Sequence, residues 1–218
     1  MSGLELVIGN RNYSSWSLRP WIMMKVAGLK FTEVFAQFDT PEFKPAVARF
    51  SKAGKVPVLS HGKIAVWESL AIMEYLAEAY PKRHFWPKNK AARAMARCVS
   101  HEMHAGFGAL RNACPMNIRR PKKSVHFSVD TLANIARIEQ IWKDCRALHG
   151  KGGPFLFGQF TIADAMYAPV VSRFETFDIK VSKISRAYMD AVLATPAFQE
   201  WKTAALKEPW IVPHDEVD

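Results

Sequence analysis

The strongest constraint on this chain is a change of periodicity near residue 80. Before it, short apolar runs alternate with helical stripes; after it, every patterned stretch is helical. Leu4-Glu5-Leu6-Val7-Ile8 reads as a buried strand. A polar loop through Asn12-Tyr13-Ser14-Ser15 leads into a helix over residues 17–27, with Leu18, Ile22 and Val26 on one face and Gly28 as its stop. Residues 31–38 read as a second strand, and residues 41–51 as a partly helical connection. Val56-Pro57-Val58-Leu59 opens a third strand, and His61-Gly62-Lys63 turns into a fourth over residues 64–67. Residues 69–80 form a strong helix carrying Leu70, Met73, Leu76 and Tyr80. The resulting order, βαβαββα, predicts a mixed sheet with helices packed on it.

Pro81 and Pro87 interrupt the pattern. The expected organisation is an α/β domain over residues 1–80, a linker over 81–89 and an all-α helical bundle over 90–218. Helices are expected at 90–112, 130–149, 162–174, 182–194 and 197–206, with a glycine-rich break at 150–154.

No window approaches the roughly 20 apolar residues of a membrane span. The opening MSGLELVIGN lacks a basic-then-apolar order, so a soluble, cytoplasmic protein with no membrane partner is expected. The net charge of +10 is dispersed, densest at Arg119, Arg120, Lys122 and Lys123. Without zinc-finger spacing or a basic helix interleaved with aromatics, it predicts a basic surface or a small anionic ligand, not nucleic acid. Cys98, Cys114 and Cys145 form no CxxC and read as buried structural thiols of a reducing compartment. His101 and His104 lie one turn apart with no evident third ligand, so no metal is expected.

Three places can carry chemistry. The serines of Tyr13-Ser14-Ser15-Trp16-Ser17 sit between a strand and a helix start, where backbone N–H groups attract anions and a hydroxyl can stabilise a thiolate; they can equally be plain helix caps. Lys55-Val56-Pro57 can carry a cis proline that turns the Val56 backbone toward a peptide ligand, or an ordinary trans proline at a strand start. Glu68-Ser69 opens a helix and suits a ligand bearing both ammonium and carboxylate, or serves as a simple cap. Thr161-Ile162-Ala163-Asp164 reads as a capping box, with Asp164 buried and holding the preceding loop.

In this order and spacing these segments resemble the soluble glutathione transferase family over nearly the whole chain. SSWSLRP at 14–20 is similar to the zeta-class signature, GKVPVL at 54–59 to the family's cis-proline segment, ESLAIMEYL at 68–76 to its glutamyl-binding segment, and TIADAMYAP at 161–169 to its capping box. The resemblance implies a thioredoxin-like N-terminal domain, glutathione as co-substrate, a homodimer and a detoxifying conjugation of small apolar or aromatic electrophiles. It implies Ser14 as the thiol-activating hydroxyl, with Ser15 and Ser17 as alternates, and Lys55, Val56, Glu68 and Ser69 as further glutathione contacts. Trp16, His104, Phe107 and Arg111 are the implied second-substrate contacts. A glutathione-dependent cis–trans isomerase and a non-catalytic binding module are the alternatives. The chain departs from the zeta pattern at Trp16, where relatives have cysteine, and at Thr176, where isomerising relatives carry arginine; Arg173 lies one turn earlier.

Overall fold

The computed structural model describes residues 3–217. Four strands, β1 (Leu4–Ile8), β2 (Phe31–Phe35), β3 (Val58–His61) and β4 (Ile64–Trp67), form one sheet in the order β2-β1-β3-β4. β1 pairs parallel with β2 and antiparallel with β3, and β3–β4 is the expected hairpin. The period-two alternation of β1 sends Leu6 and Ile8 into the main core and Val7 to the opposite face. There Val7 meets Ala36, Val58 and Val47, the last from the short helix α2 (Phe43–Ala48). Helices α1 (Ser15–Val26) and α3 (Ser69–Ala79) cover the other face.

The remaining helices are α4 (Lys90–Ala105), α5 (Gly108–Ala113), α6 (Val129–His149), α7 (Ile162–Thr176), α8 (Lys183–Leu193) and α9 (Pro196–Lys207). α7 is buried on every side from Ile162 to Phe174, as befits a helix at the centre of a bundle. It packs against α1, α4 and α8, so one core runs from the sheet into the bundle. The capping box forms as expected: the Asp164 carboxylate accepts from the Thr161 N–H (2.8 Å) and from the Leu156 N–H of the preceding loop (3.0 Å).

Two sequence expectations need correction. The predicted helix over 90–112 is two helices. The Gly106 N–H closes α4 on Glu102 O at 2.9 Å, and Phe107 then takes a left-handed backbone (φ 60) before α5 begins. A Cβ on Gly106 would meet Glu102 O at 2.8 Å, so the close approach requires glycine. The second strand stops at Phe35, because the Phe38 N–H leaves the ladder for Asn10 Oδ1 (2.7 Å). Within the 81–89 segment Phe85 is buried, and its carbonyl accepts from the Ile162 N–H at 2.9 Å.

Candidate active site

The loop after β1 is wound tightly by its own backbone. The N–H groups of Tyr13 and Ser14 both point at Asn10 O, at 3.1 and 2.7 Å. This places Ser14 as the N-cap of α1, with its hydroxyl accepting from the Ser17 N–H (3.4 Å) and donating to Ser17 Oγ (2.7 Å). Ser17 Oγ also accepts from the Gly9 N–H (3.1 Å) and is fully buried, a tie within the protein and not a ligand contact. Ser15 opens α1. Its hydroxyl accepts from Arg173 Nη2 of α7 (3.2 Å), and its carbonyl accepts from Arg19 Nη1 (3.2 Å).

Ser14 and Ser15 line a cavity of about 480 Å³, together with Tyr13, Trp16, Phe38, Lys55, Val56, Arg111, Met116, Arg173 and Asp215. Beside it is a smaller cavity of about 190 Å³, lined by Trp16, Lys55, Val56, Pro57, Trp67, Glu68, Ser69 and His104. Trp16, Lys55 and Val56 belong to both walls. The Val56–Pro57 bond is cis.

At the far end of the smaller cavity, Glu68 has φ 68 and ψ 124, a backbone that non-glycine residues rarely adopt. Such a residue costs on the order of 1–3 kcal/mol and persists where its surroundings hold it. Ser69, next in line, is 1% exposed, and its Oγ has no hydrogen-bond partner. His104 Nε2 lies 3.7 Å from Glu68 Oε2, and the His104 ring meets Trp16 edge-on at 5.2 Å. Burial depresses the imidazolium of His104 below its ordinary range, against the pull of Glu68.

The expected second-substrate residues therefore separate. Trp16 stands on both cavities, Arg111 on the larger, with its guanidinium 5.5 Å from the Trp16 ring, and His104 on the smaller. Phe107 lines neither: the break between α4 and α5 folds it into the core. Cys114 and Cys145 are fully buried, and burial pushes both thiols up to about 12; Cys98 departs from the expectation and is exposed. No cluster of metal-ligating side chains occurs among the described residues.

Sequence reasoning missed the segment that follows α9. Glu208 comes directly after that helix, and its carboxylate accepts from the N–H groups of Arg11 (2.8 Å) and Asn12 (3.1 Å). Arg119 holds Glu208 O and Trp210 O, and Tyr13 donates to Glu216. Asp215 is thereby brought to the larger cavity, where burial raises its carboxyl above the ordinary value. These positions have no periodicity or motif to mark them.

A four-stranded βαβαββα domain, a cis-proline loop beside a serine-headed helix and a following all-helical bundle define a glutathione-transferase type of architecture. The N-terminal domain of glutathione S-transferase matches residues 13–79, and its C-terminal domain matches residues 103–201. The chain belongs to the glutathione S-transferase family. It is 27% identical over 173 residues to a probable maleylacetoacetate isomerase of Caenorhabditis elegans, covering 79% of each chain. It is 24% identical to the maleylacetoacetate isomerase of Rattus norvegicus, covering 87% of each. A Burkholderia glutathione transferase homologue solved with bound glutathione shares the fold at a TM-score of 0.70 and 21% identity, over 94% of this chain and 98% of that one. The theta-class enzyme of Xanthomonas axonopodis pv. citri, also solved with glutathione, gives 0.67 at 23% identity, over 95% of this chain and 100% of that one. No helix among the described residues is long and apolar enough to cross a membrane.

Proposed function

We propose that the chain is a glutathione transferase that binds glutathione across the two adjoining cavities and presents its sulfur to the serine hydroxyls heading α1. The carrying observation is Ser69: a buried hydroxyl without a partner, on the wall of the smaller cavity at the start of α3. An unmet buried donor costs about 1–3 kcal/mol, which an incoming carboxylate offsets by accepting from it. In this reading Ser69 receives the α-carboxylate of the γ-glutamyl unit and Glu68 its ammonium. The Val56 backbone pairs with the cysteinyl unit, and Lys55 contacts the peptide. The thiol then reaches Ser14 and Ser15, the two serines on the larger cavity. The thiolate attacks an electrophile held between Trp16, Arg111 and Met116 in that cavity, and the hydroxyl stabilises the sulfur before the new carbon–sulfur bond forms.

The test is binding followed by turnover. Glutathione is expected to bind by calorimetry and to be conjugated to an aromatic electrophile; absence of binding overturns the reading. Isomerisation of a cis-dienoic or cis-enedioic acid is the second reading, favoured by Arg111 and Arg173 on the cavity wall and by the names of the two isomerase relatives. Turnover of maleylacetoacetate or maleylpyruvate without net glutathione consumption would select it.

The domains in this reading are residues 1–80 and 90–218, joined by 81–89. A homodimer is supported by Ile64 and Trp67, both about half exposed on the edge strand β4, and is read by light scattering. The three free thiols support a cytoplasmic setting.

A further inference from the structure

Two arginines are buried behind Ser15. Arg19 is 0% exposed and Arg173 4%. Arg19 Nε donates to Met166 O (3.1 Å) and its Nη1 to Ser15 O (3.2 Å). Arg173 Nε donates to Cys114 O (2.7 Å) and its Nη2 to Ser15 Oγ (3.2 Å). The remaining Nη atom of each, Arg19 Nη2 and Arg173 Nη1, is buried without a partner. Neither guanidinium is ion-paired with a carboxylate among the described residues. A buried charge without a counter-ion is expensive. Arg19 lies over the Trp16 ring at 4.1 Å, which offsets part of that cost, whereas Arg173 stands on the wall of the larger cavity, where an anion can meet it. Burial brings Arg173 down to about 10, so it remains a cation at neutral pH.

The two cavity serines differ in what their hydroxyls do. The Ser14 proton is directed at Ser17 Oγ, and its lone pair already caps the helix. The Ser15 oxygen accepts from a guanidinium, a charge-assisted bond that leaves the Ser15 proton free and more acidic. Resting on the glutathione reading above, we propose that Ser15 is the hydroxyl that donates to the glutathione thiolate, and that Arg173, reaching it from α7, is the positioning residue that polarises it. Proton balance is simple: the thiol loses its proton to solvent, the sulfur anion accepts the Ser15 hydrogen bond, and Ser15 keeps its own proton. Arg173 thereby makes thiolate formation depend on docking of the helical bundle against α1. The other charged and titratable groups around the sulfur position are Tyr13, Lys55, Arg111 and Asp215 on the same cavity, Arg19 behind Ser15, and His104 and Glu68 in the adjoining cavity. Lys55, Arg111 and Arg19 add to the positive field, and Asp215 and Glu68 oppose it.

The test is the pH titration of thiolate absorbance for glutathione bound to the wild type and to Ser14→Ala, Ser15→Ala, Arg173→Lys, Arg173→Met and the Ser15→Ala/Arg173→Met double variant. In the wild type the bound thiol is expected to titrate below its free value. Ser15→Ala and Arg173→Met each raise the midpoint by about one pH unit, the size of a lost charge-assisted hydrogen bond. The double variant rises little further, because the two act through one bond, and Arg173→Lys recovers part of the change. Ser14→Ala moves the midpoint less. If Arg173→Met fails to fold, Ser15→Ala and Arg173→Lys carry the comparison. Additive effects in the double variant, or a larger rise from Ser14→Ala than from Ser15→Ala, overturn the proposal. A wild type whose bound thiol titrates at the free value, or that binds no glutathione, overturns the functional reading instead.

Discussion

The backbone N–H of Asn12 donates to the carboxylate of Glu208 at 3.1 Å across 196 residues of sequence. The same carboxylate takes the Arg11 N–H, and the loop carrying the candidate serines is thereby tied to the C-terminal segment. Glu208 is 7% exposed, so its removal leaves the N–H groups of Arg11 and Asn12 without their carboxylate acceptor. Glu208→Ala is expected to cost about 2–4 kcal/mol in urea unfolding, whereas Glu208→Gln, which keeps one acceptor, costs less. Equal stability of all three proteins would mean that the tie contributes nothing.

Asp164 gives a pH dependence with a definite sign. Burial raises its carboxyl from 3.8 to about 6, against the N–H groups of Leu156 and Thr161 that favour the anion. The folded state then keeps the proton up to about pH 6, while the unfolded chain releases it near 3.8. Stability from this site is therefore present in full below about pH 4, falls as pH rises between about 4 and 6, and is flat above; a displacement of this size corresponds to about 3 kcal/mol. Denaturant curves of the wild type and Asp164→Asn across that window provide the check. The asparagine protein lacks this titration, so the stability difference between the two must change from about pH 4 to 6; parallel curves would show that the hydrogen bonds, not burial, set the carboxyl.

The three thiols should separate in labelling. Cys98 is exposed, whereas Cys114 and Cys145 are fully buried and poorly ionised. Cys114 and Cys145 are expected to react with a disulfide reagent only after the chain unfolds, at a rate set by opening and not by reagent concentration. Rapid native-state labelling of either would contradict the packing around α5 and α6.

Much of this architecture is legible before any coordinates. The apolar run Leu4–Ile8, the His61-Gly62-Lys63 turn and the stripe on residues 69–80 are local signals of composition, turn chemistry and period; each forms, the helix ending at Ala79 with Tyr80 as its C-cap. The break at Gly106 is not legible, because the apolar stripe continues through it; its cause is the closure on Glu102 and the left-handed Phe107. Ser14, Ser15, Lys55, Val56, Glu68 and Ser69 come together on two adjoining cavities because motif and turn chemistry mark them. Arg173 and Asp215 reach the same cavity through helix packing and a strap without pattern. From sequence spacing, Arg173 is a residue one turn before Thr176; its link to Ser15, 158 residues away, is a property of how α7 docks on α1.

Ser69 offers the sharpest separation of binding from folding. Its hydroxyl is buried and bonded to nothing, and the N-cap position of α3 belongs to Glu68. Removing the hydroxyl therefore takes nothing from the folded chain and relieves an unmet donor, so Ser69→Ala should leave the melting temperature unchanged or slightly raised. If the hydroxyl receives the glutamyl carboxylate, the same substitution removes a hydrogen bond to a charged group, about 1.5–3 kcal/mol, or roughly a 10- to 150-fold weaker glutathione Kd. Calorimetric titration beside a thermal scan measures both. Unchanged affinity would take Ser69 out of the binding site; a lowered melting temperature would mean that its hydroxyl serves α3 after all.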